Sequence, residues 1–231
     1  MKRVMIGIFA HPDDESFGPS GTLLKQVQAG TDVHLLLITD GEAGTNPHNA
    51  PNLAQIRLDE WARASQLIGA TTTAAMHFPD GELSHSMHIA IGAALHAEMH
   101  RILERYNEPI ELDIITFDQL GVTGHLDHIA ASFSATHQFF SLKNDTPAGV
   151  TMGELWYFCL SQDHAPNKEW TDYYMPIGRD KHYINREINV RDVLPQKLAV
   201  MDAHQSQAND AEAQKQLGEE LLARECFHIV R

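Results

Sequence analysis

Continuous apolar runs alternate with segments of helical periodicity along the first 140 residues of the chain. An apolar run bounded by turn residues is typical of a strand buried on both faces, whereas apolar positions that recur every three or four residues predict an amphipathic helix. The runs predict strands at residues 4–10, 32–40, 74–78 and 112–117. The periodic segments predict helices at residues 20–30, 53–69, 84–106 and 125–140. This alternation predicts an α/β fold of three layers, Rossmann-like, with a mostly parallel sheet and helices on both faces.

The helix at residues 53–69 has the clearest boundaries in the sequence. Asn52 and Gln55 have the spacing of a capping box, in which two side chains satisfy the free N–H groups of the first turn. Gly69 follows the last periodic position, as expected of a residue that ends a helix in the left-handed conformation.

The pattern changes after residue 140. Strands are expected at residues 153–161, 182–190 and 225–230, and helices at residues 192–207 and 210–224. Pro195 must lie in the first turn of its helix, because proline has no N–H to donate. Residues 162–181 are irregular. We expect one domain over residues 1–231, in which residues 1–140 form the core and residues 141–231 add substrate-side elements and the closing helices and strands.

Composition narrows the function without identifying it. The chain has 231 residues, 43% of them hydrophobic, and a formal net charge of −14. The negative charge argues against nucleic acid and anionic membranes as partners, because both select basic surfaces. No apolar run reaches the ~18 residues of a membrane-spanning helix. Cys159 and Cys226 are far apart in sequence and are expected to be reduced core thiols of a cytoplasmic protein.

The chemistry is concentrated in loops that follow predicted strands. Ligands of parallel sheets bind at the carboxyl ends of the strands, where residues 11–19, 40–52 and 118–128 would meet. A dinucleotide site would need a glycine-rich turn after the first strand, so that backbone amides could hold phosphate. The sequence has AHPDDE at residues 10–15 instead. Carboxylates there would repel phosphate, so the dinucleotide function is excluded although the fold class stands.

A divalent metal explains the crowded carboxylates better. His11 and Asp14 lie on a loop that Pro12 stiffens, and imidazole and carboxylate are the ligands that zinc and similar ions prefer. GHLDH at residues 124–128 supplies His125 and His128 just beyond another strand end. Two histidines and one aspartate would leave a position open for water, as in catalytic sites. The neighbouring carboxylate of Asp13 could then act as the base.

Each of these residues also has a structural explanation. Asp13 and Asp14 could form a solvated turn, and His125 and Asp127 could begin a helix, where aspartate is favoured. His96 and His100 are four residues apart, a zinc-binding spacing, but Ala97 stands where the metalloprotease motif has glutamate, which favours a solvated helix face. For His204, a structural role competes with a contact at the edge of the site. Both clusters follow buried strands and would converge, which favours the metal.

These motifs resemble the PIG-L/LmbE family of metal-dependent deacetylases, which act on N-acetylglucosaminyl compounds. AHPDDE followed by GTL at residues 21–23 matches the first family signature, and GHLDH matches the second with Leu126 in place of the usual proline. Weaker matches are TDGEAG (39–44), the Arg57/Glu60 helix, PDG (79–81) and KLAVMDAHQSQ (197–207). The resemblance extends from residue 4 to about residue 207.

The resemblance implies a role for each matching residue. The metal ligands would be His11, Asp14 and His128, holding zinc, with ferrous iron as the alternative ion. Asp13 would be the general base. His125 would stabilise the oxyanion and protonate the leaving amine. The reaction would be the hydrolysis of an acetamide to acetate and a free amine.

Four further residues would support this chemistry. Asp127 would orient His125 and tune its charge, as a carboxylate does for an imidazole. The residues that would contact sugar hydroxyls are Arg57, Asp80 and Glu42. Arg57 and Glu60 could instead form a surface pair on a helix, and Asp80 could simply be a turn residue.

Several alternatives stay open at this point. The same metal site could act on a different amide or acyl-amino compound, or the chain could be a catalytically silent relative that binds sugar. Thr123 stands two residues before His125, where some family members carry a tyrosine that assists the oxyanion. The expected partner is a small N-acetylated sugar or a related amide, and the alternating strand at residues 182–190 could pair with a second copy.

Overall fold

The computed structural model describes residues 1–46, 49–165 and 178–231, and only the backbone of His85. Its strands are β1 (Lys2–Phe9), β2 (Asp32–Thr39), β3 (Thr72–Phe78), β4 (Ile110–Phe117), β5 (Val150–Ser161), β6 (Gly178–Arg179), β7 (Arg186–Asn189) and β8 (Arg224–Val230). Its α-helices are α1 (Asp14–Phe17), α2 (Ser20–Gln28), α3 (Leu53–Ile68), α4 (His88–Leu103), α5 (Gly121–Gly124), α6 (Leu126–Asn144), α7 (Leu194–Asp202), α8 (Ala208–Lys215) and α9 (Glu219–Leu222). Single 3₁₀ turns cover His85–Met87, Arg191–Val193 and Gln205–Gln207. Most of residues 162–181, predicted to be irregular, lie outside the described residues.

The strands form one mixed sheet in the order β3-β2-β1-β4-β5-β8-β7, and β6 pairs with β5 beside that path. The pairs β1–β2, β1–β4, β2–β3, β4–β5 and β5–β6 are parallel. Among the described strands, β8 runs antiparallel to both of its neighbours, β5 and β7. Helices cover the sheet, with α4 against α6 and with α2, α3 and α7 in mutual contact. The predicted α/β fold with a mostly parallel sheet is therefore confirmed.

The core extends from the first strand to the last. The larger of two clusters of buried apolar side chains includes residues from Val4 on β1 to Phe227 on β8, with Phe9 and Phe139 among the largest that are fully enclosed. Such burial of large apolar side chains is the main force that holds the layers together. Cys159 and Cys226 are free, buried and directly opposite each other on β5 and β8, as expected of core thiols.

The ends of the helices agree with the sequence prediction at some positions and differ from it at others. Gly69 ends α3 with φ 85°, as predicted, because glycine adopts the left-handed conformation without a steric penalty. The predicted capping box is wrong: Asn52 makes no side-chain cap hydrogen bond, and the Gln55 amide donates to Asp59 at 2.9 Å. The helix predicted over residues 210–224 is two helices, since Gly218 between them has φ 89°.

The carboxyl ends of the parallel strands bring the predicted loops together. The hydroxyl and the amide of Thr39, at the end of β2, both donate to the Ala10 carbonyl just beyond β1, each at 2.9 Å. β4 ends at Phe117, and its loop leads through α5 into α6. Within the described residues, no helix combines the length and the apolar character needed to cross a bilayer.

Candidate active site and metal centre

The first signature places His11 directly after β1 and opens α1 with Asp14. The Asp14 Oδ2 atom accepts a hydrogen bond from the His11 backbone N–H at 2.7 Å and lies 3.5 Å from His11 Nδ1. Asp13, between them, has φ 113°, a left-handed conformation that a side chain rarely adopts and that is often found at functional sites. The solvated-turn alternative is wrong, because both Asp13 and Asp14 are buried.

The second signature supplies His128 from the first turn of α6. Its Nε2 atom lies 3.1 Å from His11 Nδ1 and 3.1 Å from Asp14 Oδ1. Three potential ligand atoms from two loops therefore converge at the carboxyl end of the sheet. His125 adds a third imidazole, with ring nitrogens of His11, His125 and His128 all within 4.8 Å of one another.

Hydrogen bonds on the far side of each ring fix where its proton lies. His128 Nδ1 is 3.0 Å from the Gly121 carbonyl, which can only accept, so Nδ1 carries the hydrogen and Nε2 the lone pair. His11 Nε2 is 3.0 Å from Asp80 and 3.3 Å from Asp127, so Nε2 carries the hydrogen and Nδ1 the lone pair. When both rings are neutral, the two inward nitrogens and the Asp14 carboxylate are therefore all electron-pair donors, and they face one another.

This donor set fits a divalent metal. Ligands held about 2.0–2.2 Å from a tetrahedral zinc ion lie roughly 3.4 Å apart, close to the 3.1–3.5 Å separations found here. Metal-bound histidines usually donate their other N–H to a carbonyl or a carboxylate, and both rings do so. The second candidate group, His11 with Asp80 and Asp127, uses the protonated Nε2 atom, so it supports the first group rather than forming another site.

The electrostatics of the cluster also favour a cation. Burial alone would lower the pKa of His11, but hydrogen bonds to Asp127, Asp14 and Asp80 outweigh it and hold the pKa well above its ordinary value. Burial alone would raise the pKa of Asp14, yet His128 and His11 hold that pKa well below its usual range. The site thus stabilises positive charge among its ligand atoms.

The Asp13 carboxylate lies beside the cluster and is held by Arg57. The Arg57 Nη2 atom donates to Asp13 Oδ2 at 2.9 Å and to the Pro12 carbonyl at 2.7 Å, while Nη1 donates to Gly41 at 2.8 Å. Burial raises the pKa of Asp13 to about 6, even though the guanidinium opposes the shift. The alternative of an Arg57–Glu60 surface pair is wrong, because both residues are buried, with 4% and 3% of their surface exposed.

Asp127 and Asp80 fasten the 79–83 turn to His11. The Asp127 carboxylate accepts from the backbone N–H groups of Gly81 at 2.7 Å and Leu83 at 3.1 Å, and it lies against His11. Asp80 accepts from the Ala43 N–H at 2.8 Å and contacts His11. Asp80 is therefore more than a turn residue.

Asp127 contacts His125 through its backbone. The Asp127 N–H donates to His125 Nδ1, at 3.1 Å, which leaves the hydrogen of the neutral ring on Nε2. The carboxylate charge still favours the protonated ring, but burial and the neighbouring histidines outweigh it and lower the pKa of His125 to about 4. The ring lies 4.7 Å from that of His11, at the N-cap of α6.

Sequence reasoning missed part of the support for this site. Glu15 and His204 are both buried, and the His204 Nε2 atom lies 3.3 Å from the Glu15 carboxylate and 2.9 Å from Ser16 Oγ. His204 is therefore structural rather than at the rim. Asp118, also fully buried, holds the loop after β4. The signal that revealed Asp13, a carboxylate directly after a buried strand, was equally present for Asp118.

The remaining predicted positions have simpler surroundings. Thr123 is half-buried, and its hydroxyl donates to the Gly121 carbonyl at 3.4 Å. The His96 and His100 rings lie 4.2 Å apart on α4, and no group of three possible ligands includes them in the part of the chain that was searched. The exposed Glu42 accepts from the Asp80 N–H at 2.9 Å.

Two diacetylchitobiose deacetylases are similar to this chain, one in sequence and one in structure. The chain is 28% identical over 215 residues to the diacetylchitobiose deacetylase of Thermococcus kodakarensis, covering 90% of this chain and 70% of that protein. The structure of N,N′-diacetylchitobiose deacetylase from Pyrococcus horikoshii matches with a TM-score of 0.67 and 21% identity, over 99% of this chain and 84% of that one.

The same fold also serves a different reaction. The 4-carboxy-2-hydroxymuconate hydratase of Pseudomonas putida matches with a TM-score of 0.72 and 14% identity, over 100% of this chain and 97% of that one. Structural likeness at this identity shows the fold alone. The sequence match is more informative: residues 6–139, which include both signatures, match the PIG-L family, described as GlcNAc-PI de-N-acetylase. More than half of the chain is covered, and the chain therefore belongs to the PIG-L family.

Proposed function

We propose that the protein is a metal-dependent hydrolase that removes the acetyl group from an N-acetylglucosamine-type small molecule. The observation that carries the proposal is the convergence of two imidazole lone pairs and one carboxylate, His11, His128 and Asp14, beside the buried carboxylate of Asp13. Family membership and relatives that deacetylate amino sugars support the choice of substrate class.

The three ligands His11, Asp14 and His128 would hold zinc or ferrous iron. When bound, the ion would supply the Lewis-acid chemistry that polarises an amide carbonyl and makes a water molecule acidic near neutral pH. Asp13 is the general base in this proposal. Arg57 holds one of its oxygens, and no described residue donates a hydrogen bond to the other, Oδ1, which is left to accept a proton from water.

His125 stabilises the oxyanion in this proposal, and the proton that Asp13 takes from the water reaches the leaving amine through the His125 ring. Its Nδ1 atom accepts from the Asp127 backbone N–H, so Nε2 carries the hydrogen of the neutral ring, and this N–H is the group proposed to donate to the oxyanion. A neutral ring can donate that hydrogen bond without first gaining a proton.

Sugar recognition is proposed for Arg57, Asp80 and Glu42, which differ in how many further hydrogen bonds each can make to a sugar. The Arg57 guanidinium is buried and already donates to three oxygens, and both Asp80 oxygens have protein partners. Glu42 is exposed, and only its Oε1 atom has a hydrogen bond from the described residues. Glu42 therefore has the greatest capacity to accept from a sugar hydroxyl, while Arg57 and Asp80 fix the loops around it.

The test is acetate release by zinc-reconstituted protein on a panel of N-acetylglucosamine, diacetylchitobiose and glycosides with acidic or polyol leaving groups. Asp13→Asn should keep its zinc and lose most of its turnover, by about 10²–10⁴-fold, because it removes the base. The matched control is Asp59→Asn, on the exposed face of α3, which should behave as wild type. Equal turnover by Asp13→Asn at unchanged zinc content would disprove the base assignment.

Metal content tests the ligand assignment separately. His128→Ala should lose zinc on dialysis, and full retention would contradict His128 as a ligand. Zinc-loaded wild type that releases no acetate from any panel member would refute the sugar deacetylase and leave the second candidate, the same site acting on another substrate. The observation that favours this second candidate is that a hydratase has the same fold.

A further inference from the structure

The loop between β4 and α6 links the metal centre to a part of the chain that no family motif covers. We infer that Asp118 and Arg179 are positioning residues that fix the orientation of the His128 ring through the turn at residues 118–124. The inference rests on the metal site of the proposed function. It adds two residues that touch neither the ligand atoms nor the predicted sugar contacts.

The Asp118 carboxylate is the centre about which the turn folds. Asp118 is fully buried, and its Oδ1 atom accepts from the backbone N–H groups of Leu120 at 3.1 Å and Val122 at 3.0 Å. Its own carbonyl accepts from the Gly121 N–H at 2.9 Å. Three successive backbone N–H groups are thus satisfied by one residue, which determines the direction of the peptide that follows Gly121.

That direction matters because the Gly121 carbonyl holds His128. It accepts from His128 Nδ1 at 3.0 Å, the hydrogen bond that turns Nε2 toward the other ligands. Gly121 has φ 65°, and a Cβ atom there would lie 2.8 Å from His128 Cβ, so the Gly121 backbone lies close to the base of the His128 side chain.

The next residue carries backbone strain. Val122 has φ 64° and ψ −49°, a conformation costly for a β-branched residue, and it persists only where surrounding contacts impose it. The hydrogen bond from the Val122 N–H to Asp118 is such a contact. Without the carboxylate, we expect the turn to relax and the Gly121 carbonyl to rotate away from His128.

Arg179 completes the arrangement from β6. Its Nε atom donates to Asp118 Oδ2, and its guanidinium lies over the Tyr183 ring at 4.4 Å. The pair compensates the charge of a carboxylate that has no exposed surface, which would otherwise be costly to bury. Through this ion pair, the segment around residues 178–183 is connected to a metal ligand.

The test is the zinc affinity of metal-free protein, measured by competition with a chromophoric chelator. Asp118→Ala should weaken zinc binding about 10–100-fold, the usual effect of losing a group that orients a ligand. The control is Asp113→Ala in the middle of β4, the strand that Asp118 follows. Asp113 is also buried, is paired with Arg3 at 2.7 Å and accepts from the Glu154 N–H at 2.7 Å, but it has no contact with the turn at residues 118–124 among these partners. It should lower the melting temperature and leave the zinc affinity unchanged.

Conservative variants separate positioning from folding. Asp118→Asn keeps an oxygen that can accept from Leu120 and Val122, so it should recover most of the affinity lost in Asp118→Ala. Arg179→Gln should weaken zinc binding about threefold or more. If Asp118→Ala does not fold, Asp118→Asn and Arg179→Gln test the inference in its place. Reduced zinc affinity in Arg179→Gln would support it, and wild-type zinc affinity in both variants would overturn it. Wild-type affinity in folded Asp118→Ala overturns it equally. A wild type that binds no zinc would instead refute the proposed metal site, and the inference with it.

Discussion

A buried histidine remote from the metal centre offers a sharp test of how the fold responds to pH. His34 on β2 is fully buried, with Nδ1 2.6 Å from Thr72 Oγ1 and Nε2 2.7 Å from the Tyr106 hydroxyl. Tyr106 donates its own hydrogen to Asp32 at 3.0 Å, so it accepts from His34 Nε2–H, and Thr72 donates to Nδ1. The neutral ring is therefore fully hydrogen-bonded, and burial lowers its pKa to about 4.

The sign and size of the effect follow from this shift. An unfolded histidine titrates near about 6.5, so between that pH and about 4 the unfolded chain binds a proton that the folded chain does not. Stability therefore falls as the pH drops below about 6.5, and the loss levels off below the folded pKa. At 1.36 kcal/mol per pKa unit, the full loss is about 3 kcal/mol, of which about 2 kcal/mol appears between pH 7.5 and pH 5.

The assay is urea unfolding of metal-free protein from pH 7.5 to pH 5, for wild type and His34→Gln. The variant should be less stable at pH 7.5, because glutamine fits the two hydrogen bonds imperfectly, but its stability should fall by about 2 kcal/mol less over this range. His137→Gln, on the exposed face of α6, is the control and should keep the wild-type profile. Parallel pH profiles for wild type and His34→Gln would refute the reasoning, since other histidines titrate equally in both proteins.

Four further substitutions, in two pairs, test the packing of the core and the metal centre. Glu225→Ala should cost about 3–5 kcal/mol by urea unfolding, because it strands the buried Lys197 ammonium that lies 2.6 Å from the carboxylate. Lys197→Met should cost less, because Glu225 still accepts from two backbone N–H groups at the start of α2; the reverse order would contradict this account. Gly121→Ala should weaken zinc binding at least about tenfold by chelator competition, because its Cβ would displace His128. Gly69→Ala, equally left-handed with φ 85° but distant from the ligands, should lose about 1 kcal/mol of stability and no zinc affinity; similar zinc affinities in both variants would refute the placement of Gly121.

Sequence patterns predicted the core well because its strands are buried on both faces. A strand such as β2, with seven of its eight residues buried, contains a continuous apolar run, here residues 35–38. The same topology made the site predictable, since parallel strands bring their carboxyl ends to one edge. His11 and His128 are far apart in the chain, yet both follow such ends, and their side chains meet within 3.1 Å.

The hydrogen-bond partners of side chains were less predictable, because they depend on which distant segments lie together in the fold rather than on spacing in the sequence. Asn52 and Gln55 have the correct spacing for a capping box, but Gln55 bonds to Asp59 instead. The family resemblance implied that the Asp127 carboxylate would orient His125. It did not indicate that the 79–83 turn, which no local pattern places beside α6, would supply two N–H donors to that carboxylate.

The crowded carboxylates of the first signature can now be understood one by one. Asp13 is paired with Arg57 from α3, and Glu15 with His204 from beyond α7, so two of the three charges have partners of their own within the protein.

Asp14 differs in kind, because its partners are His11 and His128. Each imidazole donates its proton outward, to a carboxylate or to a carbonyl, so both present lone pairs to the Asp14 oxygens. Three electron-pair donors in contact repel one another unless a cation lies among them. Neutral His11 and His128 supply no positive charge to balance the Asp14 carboxylate. Asp13 and Glu15 have other partners, so Asp14 is the one of these three carboxylates that needs a cation, and this is the physical reason for placing the metal there.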